Sequence, residues 1–116
     1  MQSLTHLDIT DHQDFTAATI PSEIGNLSSL RMLEMSHNHL RGNLPSELFG
    51  LASLERLNLS QNSLRGSLPV SLGLASLREL DLSENVLTGM IPGALGSLEY
   101  LEGLYLHVSM NDAVVD

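Results

Sequence analysis

The chain has no cysteine, no tryptophan and no lysine, and its 116 residues include only two phenylalanines and two tyrosines. Without cysteine there is no disulfide framework, no zinc–thiolate centre and no thiol nucleophile. The scarcity of aromatics leaves few of the Trp, Tyr and Arg side chains that anchor interfaces. Cations are also few: five arginines stand against 14 acidic residues, for a formal net charge of −9. Nucleic acid and anionic membrane surfaces, which need a basic patch, are therefore poor partners. Complementary charge favours a partner with a basic face instead. No apolar run approaches the roughly 18 residues that cross a bilayer. The opening MQSLTHLDITDHQDF has neither the basic start nor the apolar stretch of a secretory signal. These absences leave the compartment open.

Proline is also rare, but its placement is informative. Pro21, Pro45, Pro69 and Pro92 are 24, 24 and 23 residues apart, and each follows Ile or Leu. Leu30, Leu54, Leu77 and Leu101 keep the same beat. Self-similarity at such a period marks a stacked-repeat architecture. Repeat two reads LRMLEMSHNHLRGNLPSELFGLAS, repeat three LERLNLSQNSLRGSLPVSLGLAS and repeat four LRELDLSENVLTGMIPGALGSLEY. A longer, less regular first copy begins at Leu4, and a fifth begins at Leu101 and soon departs from the pattern. The chain reads as one domain over 1–116. Its repeats span about 4–29, 30–53, 54–76, 77–100 and a partial 101–109, with 110–116 an irregular tail.

Inside each repeat the L-x-x-L-x-L opening predicts a short strand with one face buried. Leu57 and Leu59 point in, and Asn58 between them points out. An Asn column follows at Asn38, Asn62 and Asn85, then leucines at 40, 64 and 87, then Gly42, Gly66 and Gly89. The glycine and proline predict a turn in place of regular helix or central strand. The short segments after each Pro predict 3₁₀ or single-turn helix. The Asn column is a structural ladder. A buried carboxamide offers donors and an acceptor to backbone groups that lose their sheet partners where the strand turns away.

The phrase L-x-x-L-x-L-x-x-N-x-L-x-G-x-[IL]-P resembles the plant-type leucine-rich repeat. The resemblance covers roughly residues 3 to 107. Repeats two to four keep every named position apart from the conservative Met35, whereas His12, Ala18 and Ser109 replace expected Asn or Gly residues. It implies an α/β-type leucine-rich-repeat solenoid with a right-handed superhelix. Short parallel strands would line the concave side, with turns and 3₁₀ or short helices on the convex side. It also implies a non-enzymatic module that recognises a protein or peptide. The parent would be a receptor-like signalling protein on the extracellular face of the plasma membrane, or a secreted one, with this segment itself making no membrane contact. The alternatives are an inhibitor of a secreted hydrolase, or a structural excerpt of a longer array with no partner of its own. Cysteine-paired end caps, usual in the family, are missing, so the chain reads as an excerpt. Self-association through its open end coils is also expected.

Strands about 4.8 Å apart would set outward residues in columns. These are Thr5, Arg31, Glu55, Arg78, Glu102; His6, Met32, Arg56, Glu79, Gly103; and Asp8, Glu34, Asn58, Asp81, Tyr105. Serines 36, 60 and 83 extend the wall, followed by Asp11, His37, Gln61 and Glu84. Carboxylates outnumber arginines there, so this wall carries over half of the net charge. The candidate partner-binding residues are Arg31, Glu34, Arg56, Asn58, Arg78, Asp81 and Tyr105. Asn26 and Asn58 each begin an N-glycosylation acceptor triplet. No cofactor is implied. His37 and His39 flank Asn38 and diverge, and Asp11, His12 and His37 fall short of a convergent zinc ligand set. Asp11 and His37 lack a nucleophile and oxyanion donors. Nothing around Glu79, Asp81 and Glu84 excludes water, as acid–base work by paired carboxylates requires.

Overall fold

A computed structural model describes residues 4–9, 18–69, 73–88 and 93–106. Two parallel sheets run along one stack of coils. The larger has five strands: β1 (His6–Asp8), β2 (Met32–Glu34), β4 (Arg56–Asn58), β6 (Glu79–Asp81) and β8 (Gly103–Tyr105), in the order β1-β2-β4-β6-β8. The smaller comprises β3 (Arg41–Asn43), β5 (Ser63–Gly66) and β7 (Val86–Leu87). Parallel neighbours require a long crossover, and here each crossover is one repeat.

The register of the large sheet follows the repeat alignment. Leu7, Leu33, Leu57, Leu80 and Leu104 pair in sequence, and Asp8, Glu34, Asn58, Asp81 and Tyr105 pair one residue later. Leu33, Leu57 and Leu80 are fully buried, with Leu30, Leu54, Leu59, Leu64, Leu77 and Leu82 around them. A single apolar column therefore runs through the coils, each contacting mainly its neighbours.

The second sheet departs from the expectation of a turn around the glycines. Gly42 and Gly66 lie within β3 and β5 at φ of 85° and 87°. A residue without Cβ can hold this left-handed conformation and still let its neighbours pair. At Gly66 a Cβ would lie 3.0 Å from the Asn43 side-chain oxygen, so the vacancy also admits the amide of the previous coil. Glycine here bends a flank strand without ending it. Gly89, the third of the column, lies outside the described residues.

On the convex side, one-turn 3₁₀ segments occupy Ser22–Asn26, Ser46–Gly50 and Gly93–Ser97, as the proline spacing predicted. Pro21 and Pro45 precede the first two in extended conformation, and Ile24, Leu48 and Phe49 turn inward. Phe49 is the largest fully buried side chain. The corresponding segment after Pro69 lies outside the described residues.

The Asn column closes the inner turn. Asn62 Oδ1 accepts from the backbone N–H of Asn38 and Leu40, both at 2.9 Å. Its Nδ2 donates to the carbonyls of Leu59 (3.0 Å), Met35 (3.1 Å) and Ser60 (3.2 Å). Asn85 repeats this one coil on: it accepts from Leu64 N–H at 3.0 Å and donates to the Leu59 and Leu82 carbonyls. Asn38 donates to the carbonyls of Met35 and Ile9. Each amide thus ties its own coil to the preceding one. The residue before each Asn takes the left-handed conformation without being glycine: His37 at φ 62°, Gln61 at 55° and Glu84 at 57°.

Candidate recognition site

The outward residues of the five-stranded sheet form an open wall. Alternation in β2, β4 and β6 buries the central leucine and leaves its neighbours accessible. Ion pairs join neighbouring coils at Arg31–Glu55 (2.7 Å), Arg56–Glu79 (3.4 Å) and Arg78–Glu102 (3.1 Å). All are solvent-exposed, so each contributes only about 0–1 kcal/mol. Their main effect is to hold all three arginines of the wall beside glutamates of the next coil.

The next column, Asp8, Glu34, Asn58, Asp81 and Tyr105, holds carboxylates and no arginine. Asp81 Oδ1 accepts from Ser83 N–H at 3.0 Å and from Ser83 Oγ at 2.6 Å. Asn58 does the same with Ser60 at 3.0 and 2.7 Å. Glu34 is a methylene longer and turns sideways, its Oε2 accepting from Asn58 Nδ2 at 3.2 Å. Glu34 Oε1 is buried with no hydrogen-bond partner. The serines therefore differ from the sequence expectation. Ser60 is buried and Ser83 half-buried, and their hydroxyls donate to the strand residue two positions earlier. They brace the wall and offer little surface to a partner. The signal lay in the N-x-S and D-x-S spacing, a side-chain turn that competes with continued strand.

The seven candidate partner-binding residues fall in two adjoining hollows of this wall. Arg31, Arg56 and Arg78 line one of about 490 Å³ together with His6, Met32 and Glu55. Glu34, Arg56, Asn58, Asp81 and Tyr105 line another of about 150 Å³, and Arg56 borders both. Tyr105 is 52% exposed. Its ring folds back over Gly103, where a Cβ would lie 3.0 Å from the ring carbon Cε2. Met32 and Glu79, on the wall but outside the candidate set, also line the smaller hollow.

Among the described residues no three His, Asp or Glu side chains converge to hold a metal ion. His37 and His39 are exposed, both at positive φ on either side of the buried Asn38. Asp11, His12, His107 and Ser109 lie outside the described residues. Asn26 is exposed at the end of the first 3₁₀ segment, away from the wall. Asn58 is half-buried, with both ends of its amide hydrogen-bonded.

The Leucine Rich Repeat family model matches residues 29–51, 53–74 and 76–98. The chain belongs to the leucine-rich-repeat family. Among solved structures it resembles the Arabidopsis receptor kinase HAESA, in complex with the peptide hormone IDA and the co-receptor SERK1. That match has 36% identity over 97% of this chain and a TM-score of 0.87. PEPR1, solved with AtPEP1, matches at 39% identity over 97% of the chain with a TM-score of 0.89. A plant ice-binding protein matches at 35% identity over 94% of the chain with a TM-score of 0.82, and the chain covers 34% of its length. The chain spans 18% and 15% of the two receptor chains. Comparison with curated proteins returns no match. The described leucine-rich repeats include no helix long and apolar enough to cross a membrane.

Proposed function

We propose that these repeats form a non-enzymatic recognition module of a receptor-like ectodomain, holding a protein or peptide against the concave sheet. The receptor chains above support the receptor reading, since HAESA is solved with a peptide hormone and PEPR1 with AtPEP1. The ice-binding relative shows that this scaffold carries more than one function, so the surface itself must carry the assignment. The observation that carries it is the grouping of all seven candidate residues in two adjoining hollows on one wall.

Charge decides the kind of ligand. The arginines of the wall already have glutamate partners, whereas among the described residues Glu34 and Asp81 face the smaller hollow with no cation beyond Arg56. A partner that places a Lys or Arg side chain there sets a cation beside the Glu34 and Asp81 carboxylates and lays its stem against Tyr105. Hydrogen bonds from a cationic donor to a carboxylate are shorter and stronger than neutral ones.

Titration of the chain with an arginine-rich and a glutamate-rich decapeptide, followed by calorimetry, tests this. The basic peptide is expected to bind more tightly. The double variant Glu34→Gln/Asp81→Asn, which keeps the Ser83 hydrogen bonds, should weaken it at least fivefold. Equal binding of both peptides, or an unaffected double variant, would overturn the reading.

A further inference from the structure

The second sheet carries the two arginines that the wall does not use. Arg41 on β3 and Arg65 on β5 are both exposed, and among the described residues neither makes an ion pair. The other three arginines all do. Alternation along these strands turns Gly42 and Leu64 inward, so Arg41 and Asn43 share the outer face with Ser63 and Arg65. The register sets Arg41 opposite Ser63 and Asn43 opposite Arg65. The four side chains therefore make a quartet: two guanidinium groups on one diagonal, an amide and a hydroxyl on the other. With strands about 4.8 Å apart and a rise of about 3.3 Å per residue, diagonal neighbours two residues apart lie about 8 Å from each other. Two arginine side chains at that spacing can lean together over one oxyanion, with the amide and hydroxyl as further donors. Asn43 is held at the site because its amide lies against Gly66.

We infer that this flank is a second binding site, distinct from the concave wall, for the acidic groups of a glycan. Guanidinium forks match carboxylate and sulfate oxygens, which fixes the charge of the ligand. The surroundings fix its class. Asn43, Arg65, Gly66 and Thr88 line an open hollow of about 550 Å³ beside the quartet, and among the described residues Val86 is the only apolar side chain that lines it. A protein partner would need an apolar or aromatic centre to its interface. A sugar chain bearing carboxylates and hydroxyls needs donors and acceptors, which this face supplies. The chain's net charge of −9 does not forbid this, because charges beyond about 8 Å are largely screened at physiological salt.

The test uses the full 116-residue chain and three probes: a uronic-acid hexasaccharide, a neutral glucose hexasaccharide and a hexa-aspartate peptide. Binding is followed by amide shift mapping and calorimetry. The uronate oligomer is expected to move signals of Arg41, Ser63 and Arg65, to lose affinity as salt rises, and to bind at least tenfold more weakly to Arg41→Gln/Arg65→Gln. The concave variant Arg78→Gln should bind it as wild type does. Shifts confined to the concave wall, unchanged affinity in the flank variant, or equal binding of the neutral oligomer would overturn the proposal. Tighter binding of hexa-aspartate would overturn it in favour of an acidic protein partner. Neither result depends on the decapeptide titration, since the two sites lie on different sheets.

Discussion

Single residues in this molecule act through backbone groups more than through chemistry. The Asn ladder shows the scale of the effect. Asn62 accepts two N–H groups and donates to three carbonyls across two coils. Asn62→Leu fills the space and strands those groups inside the turn. It should destabilise the chain by about 2–3 kcal/mol, read as a lower urea midpoint. An unshifted midpoint would show that water replaces the amide. The ladder positions were legible in the sequence because the Asn recurs at fixed phase between two buried leucines. The strand-end hydroxyl turns at Ser60 and Ser83 were not legible as such. Serine after an outward Asn or Asp reads as surface until the side chain is seen to bend back. The left-handed backbone at His37, Gln61 and Glu84 was hidden for the same reason: three different side chains occupy one conformation, set by the ladder and not by residue type.

At the level of elements, the 3₁₀ segments stack as tightly as the strands pair. At Gly25 a Cβ would lie 2.8 Å from Glu47 Cβ and 3.1 Å from the Glu47 carbonyl oxygen in the next coil. Gly25→Ala must therefore push the Ser22–Asn26 and Ser46–Gly50 segments apart. Overpacking of this kind costs about 1–3 kcal/mol. A melting temperature several degrees lower is expected, whereas Gly50→Ala, where a Cβ meets nothing within 4 Å, should leave it nearly unchanged. If both variants melt together, the convex stacking is looser than the geometry indicates. The post-proline segments were readable from their length and spacing. The flank sheet was not, because glycine next to proline signals a turn in sequence. Only pairing between coils shows that β3, β5 and β7 form a ladder.

For the whole molecule, stability is a sum over neighbouring coils, so it should grade from centre to ends. Leu33, Leu57 and Leu80 are buried on both sides, whereas their equivalent Leu104 on β8 is 41% exposed. Amide exchange is expected to be slowest in β4 and faster in β1 and β8, measured by mass spectrometry at neutral pH. Uniform protection across all five strands would mean the array unfolds as one unit. The sequence alone determined the period, the strand register, the buried column and the acidic excess of one wall, because each follows from residue type recurring at fixed phase. Tertiary structure alone decided which arginines are neutralised by glutamates, which hollow Glu34 and Tyr105 share, and that Arg41 and Arg65 sit on adjacent strands of a second sheet. Those outcomes depend on distances between side chains a full repeat apart, and a one-dimensional pattern carries no such distances.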